Sequence, residues 1–211
     1  MGKEILQQGA EAVIIRNDNE VIKKRIEKSY RIKILDEKIR KLRTRSEGKI
    51  MEKAEKIIPV PKVIKIDEKN KELVLEFING ERISDCLNKF PIKKQEEICE
   101  RIGENIAKLH SNDIIHGDLT PSNMILFEDK EKRESKVYFI DFGLGFISSK
   151  AEDKAVDLHL LREAIEAGFS KNWETLFHSI KIGYSKDYKD SEKVLERFKV
   201  VEKRGRYKQG S

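Results

Sequence analysis

A chain of 211 residues that is 38% hydrophobic and 39% charged has room for one large domain or a compact two-lobed one, and it must carry a heavily solvated surface. No apolar run approaches the roughly 20 residues of a membrane helix, and the start, Met1-Gly2-Lys3-Glu4, lacks the apolar stretch of a secretory leader, so a cytoplasmic protein without membrane contact is expected. The net charge of +6 is concentrated in residues 1–51 and at the C-terminal end, a distribution that suits nucleic-acid contact and solvated helix faces equally well.

Residues 5–26 read as strand, turn, strand, with the apolar run Ala12-Val13-Ile14-Ile15, the turn cluster Asn17-Asp18-Asn19, and then Val21-Ile22-Lys23. A helix is predicted over 36–58, stopped by Pro59 and Pro61, with Ile39, Leu42, Ile50, Met51, Ala54 and Ile57 at helical spacing. Strands follow over 63–66 and 73–78, and Asn79-Gly80 closes the second. That dipeptide is the expected boundary between an N-terminal lobe (1–79) and a C-terminal lobe (80–202). Ile98, Ile102, Ile106 and Leu109 mark a core helix over 93–110. A strand over 124–127, a charged turn over 129–135 and the buried run Val137-Tyr138-Phe139-Ile140 come next, then helices over 152–168, 173–184 and 191–202. The end, 203–211, is basic and lacks apolar periodicity, so a mobile tail is expected. Cys86 and Cys99 show no metal-ligand spacing and read as buried thiols.

The chemistry concentrates in two pieces. His116-Gly117-Asp118-Leu119-Thr120-Pro121-Ser122-Asn123 puts a carboxylate five residues before a carboxamide on a tight loop, and Asp141-Phe142-Gly143 puts another carboxylate at the end of a buried strand. Phosphoryl transfer from ATP needs such a set: Asp118 to orient or deprotonate the attacking oxygen, and Asn123 and Asp141 as oxygen ligands for magnesium. A lysine for the phosphates lies upstream. Lys23 fits the Val-x-Lys pattern best, although alternation along the strand leaves Lys24 open. Glu47 projects toward the sheet, where it either pairs with Lys23 or makes a surface pair with Arg43 or Lys49. The turn holding Gln8, Gly9, Ala10, Glu11, Ala12 and Val13 has a single glycine, so backbone can approach phosphate there without a glycine-rich flap. Backbone groups near Glu76 and Ile78 are expected to bond adenine, with Ile125 as its apolar floor or simply a core residue. The loop reads His-Gly-Asp, without the arginine that pairs with a phosphorylated activation segment. Few residues separate Gly143 from the next helix, too few to build a peptide-docking platform.

Taken together, Gln8-Gly9-Ala10-Glu11-Ala12, Lys23-Lys24-Arg25, Arg43-Thr44-Arg45-Ser46-Glu47, the His116–Asn123 loop, Asp141-Phe142-Gly143 and the basic end resemble the small atypical kinase/ATPase subunit of the KEOPS (EKC) complex, the p53-related protein kinase family. The resemblance implies an α+β, minimal bilobal kinase-like fold with a small β-rich N-lobe and a truncated, mostly helical C-lobe. It implies ATP hydrolysis and serine autophosphorylation, with ATP and Mg2+, inside an assembly that installs threonylcarbamoyl on a tRNA adenosine. The implied partners are the threonylcarbamoyl-transferring subunit on the C-lobe, a small KEOPS subunit on the N-lobe, and tRNA. Lys23 and Glu47 would form the ion pair, and Asp157 would brace the catalytic loop. His159 stands where a tyrosine is expected. Lys203, Arg204, Arg206 and Lys208 are the candidate RNA contacts, because only Glu202 lies near them in sequence. Two other readings stand beside this one, a nucleotide-binding pseudokinase and a RIO-like or small-molecule kinase.

Overall fold

β-Branched residues alternating with charged ones build a sheet at the N-terminal end of the chain. The computed structural model describes residues 3–129 and 134–208. Strands β1 (Glu4–Gln8), β2 (Ala12–Asn17) and β3 (Glu20–Arg25) precede helix α1 (Lys33–Ala54), and β4 (Val63–Asp67) and β5 (Glu72–Glu76) follow it. The five strands form one antiparallel sheet in the order β1-β2-β3-β5-β4. Asp18 at φ 54° and Lys71 at φ 59° reverse the chain between β2 and β3 and between β4 and β5. Both edges are irregular, since the register shifts between Ile5 and Gln7 in β1 and between Val63 and Lys65 in β4. Helix α1 comes down on the sheet at Gly48, where a Cβ would lie 2.6 Å from the Ile66 side chain.

The C-terminal half begins with β6 (Glu81–Arg82), α2 (Ile83–Cys86), α3 (Ile92–Ser111) and β7 (Ile114–Ile115). Then come the hairpin strands β8 (Met124–Asp129) and β9 (Glu134–Phe139), β10 (Phe146–Ile147), and helices α4 (Ala151–Gly168), α5 (Trp173–Lys186) and α6 (Ser191–Lys208). β6, β8 and β9 make a three-stranded sheet, and β7 pairs with β10. Ile98, Ile102, Ile106 and Leu109 of α3 are buried in the core. Helices α3 and α5 touch backbone to backbone, since a Cβ on Gly103 would lie 2.0 Å from the Ile180 carbonyl oxygen and one on Gly183 1.9 Å from that of Glu100. Cys86 and Cys99 are buried free thiols, and burial pushes Cys99 up to about 12. No helix among the described residues is long and apolar enough to cross a membrane.

A β-rich part and a mostly helical part give the expected α+β architecture, with four local corrections. Residues 5–26 hold parts of three strands, because β1 is exposed along its whole length and carries no alternation to read. Helix α1 runs from Lys33 to Ala54 rather than over 36–58; the chain leaves the helix in turns before reaching Pro59. The third correction concerns the end of the chain, where α6 continues as helix to Lys208. Of the turn expected over 129–135, Asp129 belongs to β8 and Glu134 and Ser135 to β9, because the two strands stay paired that far, and residues 130–133 lie outside the described residues.

Candidate active site

Alternation along β3 decides which cations enter the fold. Lys23 and Arg25 are buried, whereas Lys24 points out and pairs with Glu72 at 2.9 Å. Facing them, α1 delivers Glu47, whose side chain is 1% exposed. Lys23 Nζ donates to Glu47 Oε1 at 2.7 Å and to Asp141 Oδ1 at 2.6 Å, and Arg25 Nη2 donates to Glu47 Oε2 at 2.5 Å. Burial pulls the Lys23 pKa down, but the Glu47 and Asp141 carboxylates outweigh it, so the Lys23 pKa stands above its ordinary value. Burial likewise pushes Asp141 up, and the Lys23 ammonium more than reverses this, holding Asp141 below the usual carboxylate range.

Asp141 stands in the left-handed region at φ 62°, a conformation that costs a non-glycine residue about 1 kcal/mol. The Gly143 N–H donates to its Oδ1 at 3.1 Å, and the buried Phe142 ring lies 4.5 Å from the His116 ring. Next to it, the Ile140 N–H donates to the Asn123 carbonyl at 2.9 Å, which ties the Asp141 strand to the loop. Asn123 Nδ2 donates to the Asp118 carbonyl at 3.0 Å and to Asp118 Oδ2 at 2.8 Å. Its amide oxygen is thereby the end left to face a cation.

The loop itself hangs from one carboxylate. Asp157 of α4 accepts the His116 N–H at 2.9 Å on Oδ2 and the Gly117 N–H at 2.8 Å on Oδ1. His110 Nε2 lies 3.2 Å from the same Oδ2, and Tyr184 Oη lies 2.9 Å from His110 Nδ1. A carboxylate only accepts, so Nε2 of His110 carries the proton and Nδ1 accepts from the Tyr184 hydroxyl. Gly117 is at φ 81°, and a Cβ there would lie 2.4 Å from the Leu144 carbonyl oxygen. His116 donates from Nε2 to the Ile140 carbonyl at 3.1 Å and accepts the Asp118 N–H on Nδ1 at 3.3 Å. Burial keeps His116 below its ordinary pKa against the pull of Asp157.

Between sheet and helices lies a cavity of about 620 Å³. Ile14, Val21, Ile125 and Ile140 give it apolar walls, and Lys23, Glu47, Asn123 and Asp141 make its polar end. Glu76 and Ile78 line its edge, but the Glu76 N–H is already donated to the Lys62 carbonyl at 2.9 Å. Asp118 does not line the cavity and sits one hydrogen bond behind Asn123. Gln8, Gly9, Ala10, Glu11, Ala12 and Val13 also stay off its wall, where Leu6, Gln7 and Ile14 stand. Their turn is tied back by the Gly9 N–H to the Ala12 carbonyl at 3.0 Å, by Arg43 on Glu11 at 2.9 Å and by Lys28 on the Ala10 carbonyl.

Of the C-terminal cations, Lys203 is exposed, while Arg204 pairs with Glu152 of α4 at 2.8 Å. Glu202 is the acid near these cations in sequence, but Arg204 finds a partner distant in sequence, Glu152, across the helix pair. The side chains of Arg206 and Lys208 lie outside the described residues. His159 packs edge-on to Phe198 and contacts Glu163 at 3.3 Å. Sequence reasoning missed Arg25, His110 and Tyr184. The two-residue spacing from Lys23 could have found Arg25, whereas His110 and Tyr184 are 74 residues apart and left no pattern to read.

Residues 7–159 match the family model of the protein kinase domain. The chain is 39% identical to the KEOPS complex subunit Bud32 of Pyrococcus abyssi, over 99% of this chain and 98% of that one. It is 38% identical to a probable bifunctional tRNA threonylcarbamoyladenosine biosynthesis protein of Methanobrevibacter smithii, with 96% of this chain covering 36% of that longer protein. Among solved structures, the Rio2 kinase of Chaetomium thermophilum in its ADP/Mg2+-phosphoaspartate complex has a TM-score of 0.65 at 15% identity, over 98% of this chain and 71% of that one, a likeness of fold. The chain belongs to the protein kinase family, on its Bud32 branch.

Proposed function

We propose that the chain is an atypical serine/threonine kinase and ATPase that works as a subunit of a KEOPS assembly supporting threonylcarbamoyladenosine formation on tRNA. Its partners in this reading are the threonylcarbamoyl-transferring subunit, a small subunit on the N-terminal lobe, and tRNA, in the cytoplasm. The observation that carries the reading is Lys23 at the polar end of the cavity, held between Glu47 at 2.7 Å and Asp141 at 2.6 Å. The cavity's apolar walls suit a purine ring, and its charged end suits a phosphate chain. Lys23 keeps its proton through the neutral range and so presents a permanent cation to the phosphates.

The donor set fits Mg2+. Asp141 offers a carboxylate that is 44% exposed, and Asn123 an amide oxygen whose nitrogen is already engaged. Among the described residues no three His, Cys, Asp or Glu groups gather to hold a metal by themselves, as suits an ion shared with phosphates. Bound there, Mg2+ would offset charge developing on the transferred phosphoryl group. Asp141 would share its carboxylate between such an ion and Lys23, and Lys23 would be free to contact phosphates while Glu47 keeps hold of it. Asp118, its Oδ2 braced by the Asn123 amide, orients the attacking oxygen and takes its proton. Asp157 supports this by fixing the backbone on either side of His116.

The test is release of phosphate from ATP by the chain alone and with its partner subunits and tRNA, in Mg2+, against Asp141→Ala. Turnover that needs Asp141 and rises with the partners supports the reading. A folded chain that binds ATP without turnover under both conditions would mean a nucleotide-binding scaffold.

A further inference from the structure

Glu47 is held by two cations at once, and only one of them faces the cavity. Lys23 takes Oε1 at 2.7 Å and Arg25 takes Oε2 at 2.5 Å. The Arg25 side chain is 5% exposed and does not line the cavity. We propose that Arg25 is a positioning residue that locks α1 against the sheet through Glu47, so that the lysine–glutamate pair stays assembled without a phosphorylated activation segment. The proposal rests on the reading of Lys23 as the phosphate contact.

Charge balance alone gives Arg25 less to do than its geometry shows. A buried carboxylate needs one cation, and Glu47 has Lys23. But Lys23 also serves Asp141, and in the working site it serves phosphates. Through that exchange Arg25 stays on Oε2 and keeps Glu47, and with it the inward turn of α1, in place. The guanidinium starts from a fixed point, because the Arg25 N–H donates to the Lys71 carbonyl at 3.1 Å and the residue is paired with Ala12 across the sheet. It also reaches the metal-side segment: a Cβ on Gly143 would lie 3.6 Å from Arg25 Nη2 and 3.7 Å from Glu47 Oε2. One side chain thus touches β3, α1 and the approach to Asp141.

The need for an internal lock follows from the rest of the site. Where kinases control the lysine–glutamate pair by phosphorylation, an arginine receives the phosphate. Here Gly117 stands before Asp118, packed against Leu144 so tightly that a Cβ would lie 2.4 Å from the Leu144 carbonyl oxygen. That position cannot supply the cation, and Arg25 holds the pair from the opposite side.

The experiment compares wild type, Arg25→Gln, Arg25→Lys, Glu47→Gln and the Arg25→Gln/Glu47→Gln double variant in the full chain. ATP turnover and hydrogen exchange of the peptide over residues 44–51 are both followed. Arg25→Gln should lower kcat about tenfold, the loss of one charge-assisted bond felt in the transition state, with KM for ATP changed less than about threefold. Exchange over 44–51 should quicken, and Arg25→Lys should restore most of both. After Glu47→Gln, removing Arg25 should cost nothing more. Equal turnover and exchange in wild type and Arg25→Gln would overturn the lock, and so would additive losses in the double variant. If Arg25→Gln does not fold, Arg25→Lys decides through exchange over 44–51: wild-type exchange with lowered turnover overturns the proposal, and intermediate values of both support it. Absence of turnover in wild type would sink the ATP reading, while the exchange measurement would still decide the lock.

Discussion

Lys23, Arg25, Glu47 and Asp141 hold one another by full charges at 2.5–2.7 Å, and Asp141 is still 44% open to solvent. In the helical part, Asp157, His110, His116 and Tyr184 are closed off from water and hold one another by directional hydrogen bonds. The first group is exchangeable. Coulomb attraction asks for opposite charge at short range and accepts another partner, so Lys23 can trade Asp141 for phosphate. The second group is not, because each nitrogen and oxygen has one assigned role as donor or acceptor. The site therefore joins a part that rearranges to a part that fixes geometry, and each should fail in its own way.

The largest effect is expected where charge meets the reaction. Asp141→Asn should leave melting unchanged within a few degrees and lower ATP turnover by about 100-fold or more, as loss of charge stabilisation at the phosphoryl group predicts. Near-normal turnover in the folded variant would remove Asp141 from the exchangeable group. Next, Lys23→Ala should impair ATP use strongly and Lys24→Ala hardly at all, because Lys24 is an exposed partner of Glu72. The opposite ranking in a turnover assay would mean that the faces of β3 are assigned the wrong way round.

The fixed group should show itself in stability first. Asp157→Ala strands the buried N–H groups of His116 and Gly117, at about 1–3 kcal/mol each. Tyr184→Phe removes one hydroxyl and should cost about 1 kcal/mol. Urea unfolding of both single variants and the double should give losses that do not add, since Tyr184 acts on Asp157 through His110; strict additivity would break the chain.

Acidity separates the two groups with the smallest signal. His116 is held neutral by burial, below the roughly 6.5 of an unfolded histidine. Its contribution is complete above about pH 6.5 and declines as pH falls from there toward the depressed folded value. Lys23, raised, contributes fully below about 10.4 and loses that as pH rises through its folded value; Asp141, lowered, contributes fully above about 3.9 and loses that as pH falls through its own. Unfolding free energy should thus slope between pH 6.5 and 5 in wild type more steeply than in His116→Asn. Parallel curves would show that His116 binds a proton equally well in both states.

What could be read in advance follows the same division. The loop from His116 to Asn123 and the Asp141 triplet announce themselves because their spacing is short and local. Helices α3, α4 and α5 do so because a buried apolar stripe recurs at 3.6 residues. Tertiary pairing leaves no such mark. Nothing local says that His110 meets Tyr184, or that Arg204 finds Glu152 and helps hold the end of α6 beyond the buried Val201. Strand β1 was hidden for the opposite reason, since no residue in it is buried. The turn from Gln8 to Val13 was legible as a turn, whereas its distance from the cavity depends on Arg43 and Lys28 reaching back from elsewhere.

The shifted registers at the two edges of the five-stranded sheet bear on how copies of this chain behave toward one another. β1 exposes Ile5 and Leu6, and β4 exposes Ile64, each on an outermost strand where unpaired backbone invites an added neighbour. The shift between Ile5 and Gln7 and that between Val63 and Lys65 break the even run of donors and acceptors that an incoming strand would need. Two sticky margins are thereby kept from joining edge to edge into a continuous ribbon, and the crowded solution of a cell is met by a sheet with no straight side to offer.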